Sequence, residues 1–482
     1  MHVVSRGDDL TRLFHPRSVA VVGASSNVDS PGYDYVHSLR EFGFAGDVYP
    51  VNPRGGDVDG YPAFASLAEV PVPVDLAISC VPSSAVLGVI EQCGEKAVPF
   101  LHLFTARFSE TGDAEAAQLE REVEARALAM KVRILGPNGM GVHHPAAGLS
   151  FRPDLPKSGG GVAVLSQSGN NAVEIIVRGS ARGLRLGKVV NYGNGMDLTP
   201  AVLLRYLAED SETAVIGAYV EGVPAGAEFF RALKLAAAKK PVIIHKAGRT
   251  VAGAKSAASH TAALAGSHEI WSAAIHQAGG IEARSQEQLI DLSLGASILG
   301  RIGGTRTAVV GGGGGRSVQS ADACEENGLE IVPLPQSVKD QVHERAPQLG
   351  SWVGNPVDQS ILAGTGLSSN RLLEWMLASD AYDFGIANVG EEWFLGRPDA
   401  PERLRHACDR LASIVEDSSK PVTVVLGPSE FGKDWQCELI DSIRTDLVGR
   451  GLAVFPTVGR AAWTLGRLTE RTGVTRNRSR WA

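Results

Sequence analysis

Short β-branched runs, each ending in a small-residue turn and followed by a helical stretch, recur along this chain and restrict it to parallel α/β folds. From Ser18 onward SVAVVGAS, DVYPVN, VDLAISCVP, VPFLHLF and VRILGPN succeed one another, with amphipathic stretches such as Ala114–Met130 between them. Continuous apolar runs of this length read as strands covered on both faces, and parallel neighbours need a crossover helix between them. The rhythm restarts twice. GVAVLSQSG, LGKVVNYGNG, TAVIGAYVEG and KPVIIHKAG form a second series, closed by a helix around Gln286–Leu299 in which Thr199–Pro200 supplies an N-cap and first-turn proline for an earlier helix. RTAVVGGGGGRS, LEIVPL, FGIANVG and KPVTVVLG form a third, which fades near Gly466. The expected fold is therefore α/β, with three Rossmann- or flavodoxin-like parallel-sheet domains at 1–153, 154–302 and 303–466 and a tail at 467–482. The 482 residues suit three domains of ordinary size.

Composition narrows the function. With 46 Lys and Arg against 53 Asp and Glu, and no long basic run, nucleic acid is not an expected partner. The five cysteines are scattered without a C-x-x-C pair or histidines at ligand spacing, so a reducing cytoplasm and no structural metal are expected. No stretch has the length of a membrane span, and the first residues lack the apolar run of a secretory signal. The 56 glycines are the informative excess, since they gather at strand ends where backbone meets ligand.

Three strand ends of the first domain form one candidate cradle for an anionic cofactor. Gly23-Ala24-Ser25-Ser26 follows the first strand, Arg54 the second and Val81–Pro82 the third, all at the carboxyl edge. There is no G-x-G-x-x-G, so a dinucleotide fingerprint is missing, and a generic βα turn remains open. In the second domain Ser166-Gln167-Ser168-Gly169-Asn170 joins strand to helix and offers a phosphate socket, with simple serine capping as the alternative. The most specific stretch is KAGRTVAGAKSAASHTAALAG, where His260 stands alone among small residues. Imidazole is nucleophilic at neutral pH and forms a phosphoramidate of high transfer potential, though a lone histidine is also often structural. Glu221, at another strand end, is a candidate to orient that imidazole. The remaining histidines, His143 and His144 included, read as structural.

Taken in order, VAVVGAS, YPVNPRG, CVPSS, SETG, LGPNGMGV, LSQSG, YVEGV, the SHTAALAG segment and NPVD resemble the NDP-forming acyl-CoA synthetases, the ADP-forming acetate–CoA ligase group related to succinyl-CoA synthetase. The resemblance runs from about Leu13 to Gly466. It implies a CoA-binding first domain using Gly23, Ala24, Ser25, Ser26, Arg54, Val81 and Pro82. It implies a phosphohistidine domain with His260 as carrier, Glu221 as its partner and Ser166–Asn170 as phosphate site, and a flavodoxin-like third domain. Coenzyme A, phosphate, a small carboxylic acid and ATP/ADP are the implied reactants. The nucleotide and its Mg belong to an ATP-grasp β subunit, within a heterotetramer or alongside a homodimer of this chain. The sequence departs from the pattern around the acid pocket: Arg107 replaces a usual Gly, Asn138-Gly139-Met140 lacks the usual Cys, Asn170–Asn171 replaces small apolar residues, and GNGMD replaces GNKAD. Rival readings are a CoA-binding or acyl-transfer protein without autophosphorylation, a carbamoyl-transfer relative, and, more remotely, a dehydrogenase.

Overall fold

In the computed structural model, residues 9–253, 255, 267–300, 302–427 and 433–471 are described. The chain divides into two compact units, Met1–Leu289 and Ile290–Ala482. The first unit holds two large sheets and a two-stranded hairpin. Its first strands are β1 (Ser18–Val22), β2 (Asp47–Val51), the short hairpin pair β3 (Asp57–Val58) and β4 (Tyr61–Pro62), β5 (Leu76–Ser79), β6 (Phe100–Leu103) and β7 (Arg133–Leu135). Five of them pair in parallel in the order β2-β1-β5-β6-β7. Every residue of β1, β5 and β6 is buried, as their unbroken apolar runs require of strands covered on both faces. The helix Ala114–Met130 begins where the Asp113 carboxylate accepts the Glu115 and Ala116 N–H groups, and ends where Lys131 turns left-handed.

The second sheet contains β8 (Gly141–His143), β9 (Val162–Ser166), β10 (Leu186–Asn191), β11 (Val215–Val220), β12 (Val242–Lys246) and β13 (Ile281–Ala283), in the order β13-β12-β11-β9-β10-β8. All pair in parallel except β8, which runs antiparallel along the outer edge of β10. β8 thus lies before residue 153 in sequence but pairs with the second sheet. The chain has left the first sheet at Leu135 and joined the second by Gly141, because the turn 136–140 reverses it onto an edge that otherwise lacks a partner. Thr199 caps the helix Pro200–Glu209 through the Val202 N–H, with Pro200 in the first turn.

The second unit is a four-stranded parallel sheet of β14 (Thr307–Val310), β15 (Phe384–Asn388), β16 (Val422–Val425) and β17 (Ala453–Phe455). The divide between the two units falls inside the helix Gln286–Leu299. Two expectations change here. LEIVPL is not a strand: it makes a single bridge, Glu330 to Arg306, and its Pro333 together with the following Pro335 lacks the N–H that a ladder needs. The last helix spans Val458–Arg471, so the chain is still helical beyond Gly466, and of the expected tail only 472–482 lies outside the described residues.

Two buried polar groups hold the crossing between the sheets. The Asn191 carboxamide accepts the Met140 N–H at 2.6 Å and donates to the Ser166 carbonyl at 2.9 Å. His102, wholly buried, donates Nε2–H to the Gly139 carbonyl at 2.7 Å. Asn191→Ala strands the Met140 N–H inside the protein, and is expected to cost about 2 kcal/mol in urea unfolding; an unchanged midpoint would contradict that role. Burial pushes the imidazoles of His102 and His143 down to about 4, so both stay neutral when folded. In the unfolded chain they take up protons near 6.5, hence that state binds more protons between pH 6.5 and 4 and stability falls across this window. The urea midpoint should drop from pH 7 to pH 5, and His102→Gln should flatten part of that slope; an identical slope in the variant would remove His102 from the account.

Candidate active site

The order β2-β1-β5 brings the loops after β1, β2 and β5 to one carboxyl edge. Gly23 closes β1 with φ +85° and donates its N–H to the Val51 carbonyl at 2.9 Å; a Cβ there would meet the Cys80 backbone at 3.1 Å, so no larger residue fits without displacement. Ala24 is buried, its carbonyl accepting Asn52 Nδ2 at 2.7 Å, and Asn52 Oδ1 in turn accepts the Arg54 N–H at 2.9 Å. The Arg54 side chain is exposed. Ser25 accepts the Asn27 N–H at 3.1 Å and Ser26 is exposed. Val81 accepts the Thr105 hydroxyl at 2.7 Å and is half-buried, while Pro82 is exposed. The following helix, Pro31–Glu41, starts later than the Gly23–Ser26 turn, yet it is packed onto that turn: a Cβ on Gly32 would stand 2.3 Å from the Gly23 carbonyl oxygen. Backbone donors of a helix N-terminus thus reach the same edge.

A second group of loops lies between the two sheets. Arg107 is exposed with φ +73°, the left-handed conformation that suits a glycine, and its N–H and that of Phe108 are both held by the Glu110 carboxylate, at 2.6 and 3.1 Å. Glu110 also accepts Asn194 Nδ2 at 2.8 Å, and the Asn194 N–H reaches the Pro137 carbonyl at 2.9 Å. The Arg107 loop and the turn 136–140 are therefore two hydrogen bonds apart. Asn138 is exposed with φ +55°; Gly139 is buried, and a Cβ on it would lie 2.8 Å from the Asn191 carbonyl oxygen. The half-buried Met140 side chain packs against Gly169, and its carbonyl accepts the Tyr35 hydroxyl at 2.9 Å.

Gly169 opens the helix Gly169–Ala181 directly after β9. Ser166 is fully buried and its hydroxyl donates to the Ser168 carbonyl at 2.7 Å, so it shapes the turn from inside. Ser168 caps the helix by accepting the Asn171 N–H. The early N–H groups, those of Gly169 and Asn170 among them, have no intrahelical acceptor and form the anion-receptive part of the turn. Gln167 reaches across to β11: its Oε1 accepts the N–H groups of Glu221 at 2.8 Å and Gly222 at 3.1 Å. Pairing of Ser166 with Tyr219 fixes this approach, so Glu221 and the helix start share one edge.

Four residues that sequence reasoning missed complete the edge: Asn191, Tyr192, Tyr219 and Lys246. The Tyr219 hydroxyl donates to Glu221 Oε1 at 3.3 Å. Burial, reinforced by the Glu221 charge, raises the pKa of both Tyr192 and Tyr219. Lys246, at the end of β12, is buried; desolvation lowers its pKa while Glu221 opposes that shift, and its ammonium donates to the Ala247 carbonyl and stands 5.3 Å over the Trp271 ring. Each of the four sits at the carboxyl end of a strand, in NYG, AYVEG or HKAG, and that position was the available signal. His260 lies outside the described residues, which resume with the helix His268–Gln277 beside β13.

Residues 17–145 match the CoA binding domain and residues 159–294 the succinyl-CoA ligase like flavodoxin domain. The chain is 36% identical over 362 residues to the α subunit of ADP-forming acetate–CoA ligase I of Pyrococcus furiosus, covering 73% of this chain and 77% of that subunit. It is 38% identical over 351 residues, 72% of its length, to ADP-forming acetate–CoA ligase I of Archaeoglobus fulgidus, but spans only 50% of that protein. Among solved structures, the dinucleotide forming acetyl-coenzyme A synthetase 1 of Ca. Korarchaeum cryptofilum in complex with phosphate and ADP matches with a TM-score of 0.83 at 31% identity, over 97% of each chain. With both domains in order and most of an α subunit matched at this identity, the chain belongs to the family of ADP-forming acetate–CoA ligases.

Proposed function

We propose that this chain is the α subunit of an NDP-forming acyl-CoA synthetase, which interconverts a carboxylic acid, CoA and ATP with acyl-CoA, ADP and phosphate. The observation that carries the reading is the Gln167 carboxamide on the N–H groups of Glu221 and Gly222, which gathers a carboxylate and a helix N-terminus where an imidazole and a phosphate would meet. CoA fits the first sheet's edge, where the Gly23 turn has no room for a side chain and the start of the helix Pro31–Glu41 supplies N–H donors to a phosphate.

In the direction of ATP formation, phosphate attacks the acyl-CoA carbonyl and the C–S bond breaks, giving acyl phosphate and CoA. A His260 ring nitrogen then attacks phosphorus, the acyl O–P bond breaks, and the carboxylate leaves. Glu221 accepts a hydrogen bond from the other ring nitrogen and holds the tautomer that leaves a lone pair on the attacking one. The Gly169 and Asn170 N–H groups neutralise the phosphoryl oxygens. An oxygen of the ADP terminal phosphate finally takes the phosphoryl group from nitrogen. That nucleotide, with Mg, belongs to an ATP-grasp β subunit, and carriage between the two sites falls to the His260 segment. Arg107, Asn138, Gly139 and Met140 line the acid side of the pocket, where departures from the family pattern point away from acetate.

Incubation of the chain with its ATP-grasp partner and ATP labelled at the γ-phosphate is expected to put acid-labile label on the peptide containing His260. His260→Ala should lose the label and keep CoA binding, and Glu221→Gln should label about 10²-fold more slowly. Equal labelling of His260→Ala would overturn the proposal in favour of a CoA-binding protein that does not phosphorylate itself. Arg107→Gly, which the left-handed backbone at this position accommodates, should change the ratio of kcat/KM between a small neutral and a dicarboxylic acid by about tenfold or more; an unchanged ratio would remove Arg107 from acid selection.

A further inference from the structure

At the amino ends of the strands, on the side away from the loops just described, two histidines and a glutamate converge. His15 follows the short helix Thr11–Phe14 that precedes β1, His144 follows β8, and Glu212 lies in the turn between the helix Pro200–Glu209 and β11. One ligand atom from each lies within 4.8 Å of the other two. His15 Nε2 is 3.3 Å and His144 Nε2 3.9 Å from Glu212 Oε2. Ligands at about 2.0–2.1 Å in a tetrahedron are separated by about 3.3 Å, so the first pair already has a zinc edge length and the second needs only a small contraction.

The histidine orientations add an independent observation. His144 is buried, and its Nδ1–H donates to the Phe14 carbonyl at 3.1 Å. That bond fixes the tautomer with the lone pair on Nε2, the nitrogen facing Glu212, which is how a metal-binding histidine is commonly held by a backbone carbonyl. The His15 ring stands edge-on to that of His144, with centroids 4.9 Å apart. Lys188 is the competing cation here: its ammonium reaches Glu212 Oε2, and it is also 2.9 Å from Asp210 Oδ2. Asp210 retains that ammonium if Glu212 turns toward a metal, so the buried lysine is not stranded.

We infer that His15, His144 and Glu212 form a binding site for Zn²⁺, with water as fourth ligand, that braces the segment before β1 and the segment after β8 against the turn before β11. Two imidazoles and a carboxylate are a donor set suited to zinc and poorly suited to magnesium or calcium. The site lies apart from the residues assigned to CoA, acid and phosphate.

The test uses the full-length chain without an affinity tag, stripped with a chelator and titrated with Co²⁺ as a visible probe. One equivalent should give the absorption bands of four-coordinate cobalt and be displaced by Zn²⁺. His15→Ala, a partly exposed position whose loss leaves the core intact, and Glu212→Gln should each weaken Zn²⁺ binding about 10–100-fold. Phosphorylation of His260 by the ATP-grasp partner should proceed in His15→Ala as in the unmodified chain. Absence of saturable binding at one equivalent, or unchanged affinity in His15→Ala, would overturn the assignment.

Discussion

The carboxamide of Asn191 is the interaction on which the arrangement of the first unit rests. It closes β10, accepts the N–H of Met140 and donates to the carbonyl that ends β9, so one buried side chain fixes the turn 136–140, the antiparallel return of β8 and the start of the helix Gly169–Ala181 at once. A backbone that leaves one sheet for another must bury peptide groups in transit, and each needs a partner. His102 supplies the second partner through Gly139, and the absence of a side chain at Gly139 lets the turn lie against β10. The carboxyl edge of the first sheet and the strand ends of the second are consequently parts of one unit.

Around Glu221 the chemistry is set by what is buried beside it. Two phenols and one ammonium surround the carboxylate, and burial drives all three toward their neutral forms: it raises the pKa of Tyr192 and Tyr219 and lowers that of Lys246. The Lys246 ammonium spends a donor on the Ala247 carbonyl and lies over Trp271.

Strand–turn–helix order was legible because it is written in local patterns: β1, β5, β6, β9 and β11 fall on the apolar runs, and Thr199–Pro200 and Ala114–Met130 fall where capping and amphipathicity put them. What could not be read was non-local. β8 looks like the end of the first domain because its residues are adjacent to β7 in sequence; only the open edge of β10, far along the chain, assigns it to the other sheet. Asn191 and Tyr192 carry no motif of their own, and Lys246, which opens the KAGRTVAGAK stretch, was not singled out within it; all three matter through neighbours that the fold supplies. His144 shows no partner pattern in the sequence, since the residues it meets, His15 and Glu212, are 129 residues before and 68 residues after it. LEIVPL misled in the opposite sense, since its apolar content suggests a strand while its prolines prevent the ladder.

That failed strand explains how the third sheet relates to the second. The order β14-β15-β16-β17 repeats β9-β11-β12-β13, and the bridge from Glu330 to Arg306 lies just before β14, the strand that takes the place of β9; LEIVPL thus falls between the first two strands in sequence, as β10 does. The ends of corresponding strands diverge in chemistry. β11 runs into Glu221, half-buried beside a tyrosine hydroxyl; β15 runs into Glu391, buried to 4% exposure and with a carboxyl whose pKa burial raises. From the end of β12 the sequence continues as KAGRTVAGAKSAASHTAALAG, whereas after β16 it reads LGPSEFGKD, with no histidine. A repeated topology can therefore retain a carboxylate at the matching strand end while the sequence that follows the next strand differs in chemistry, so likeness of fold does not carry likeness of role.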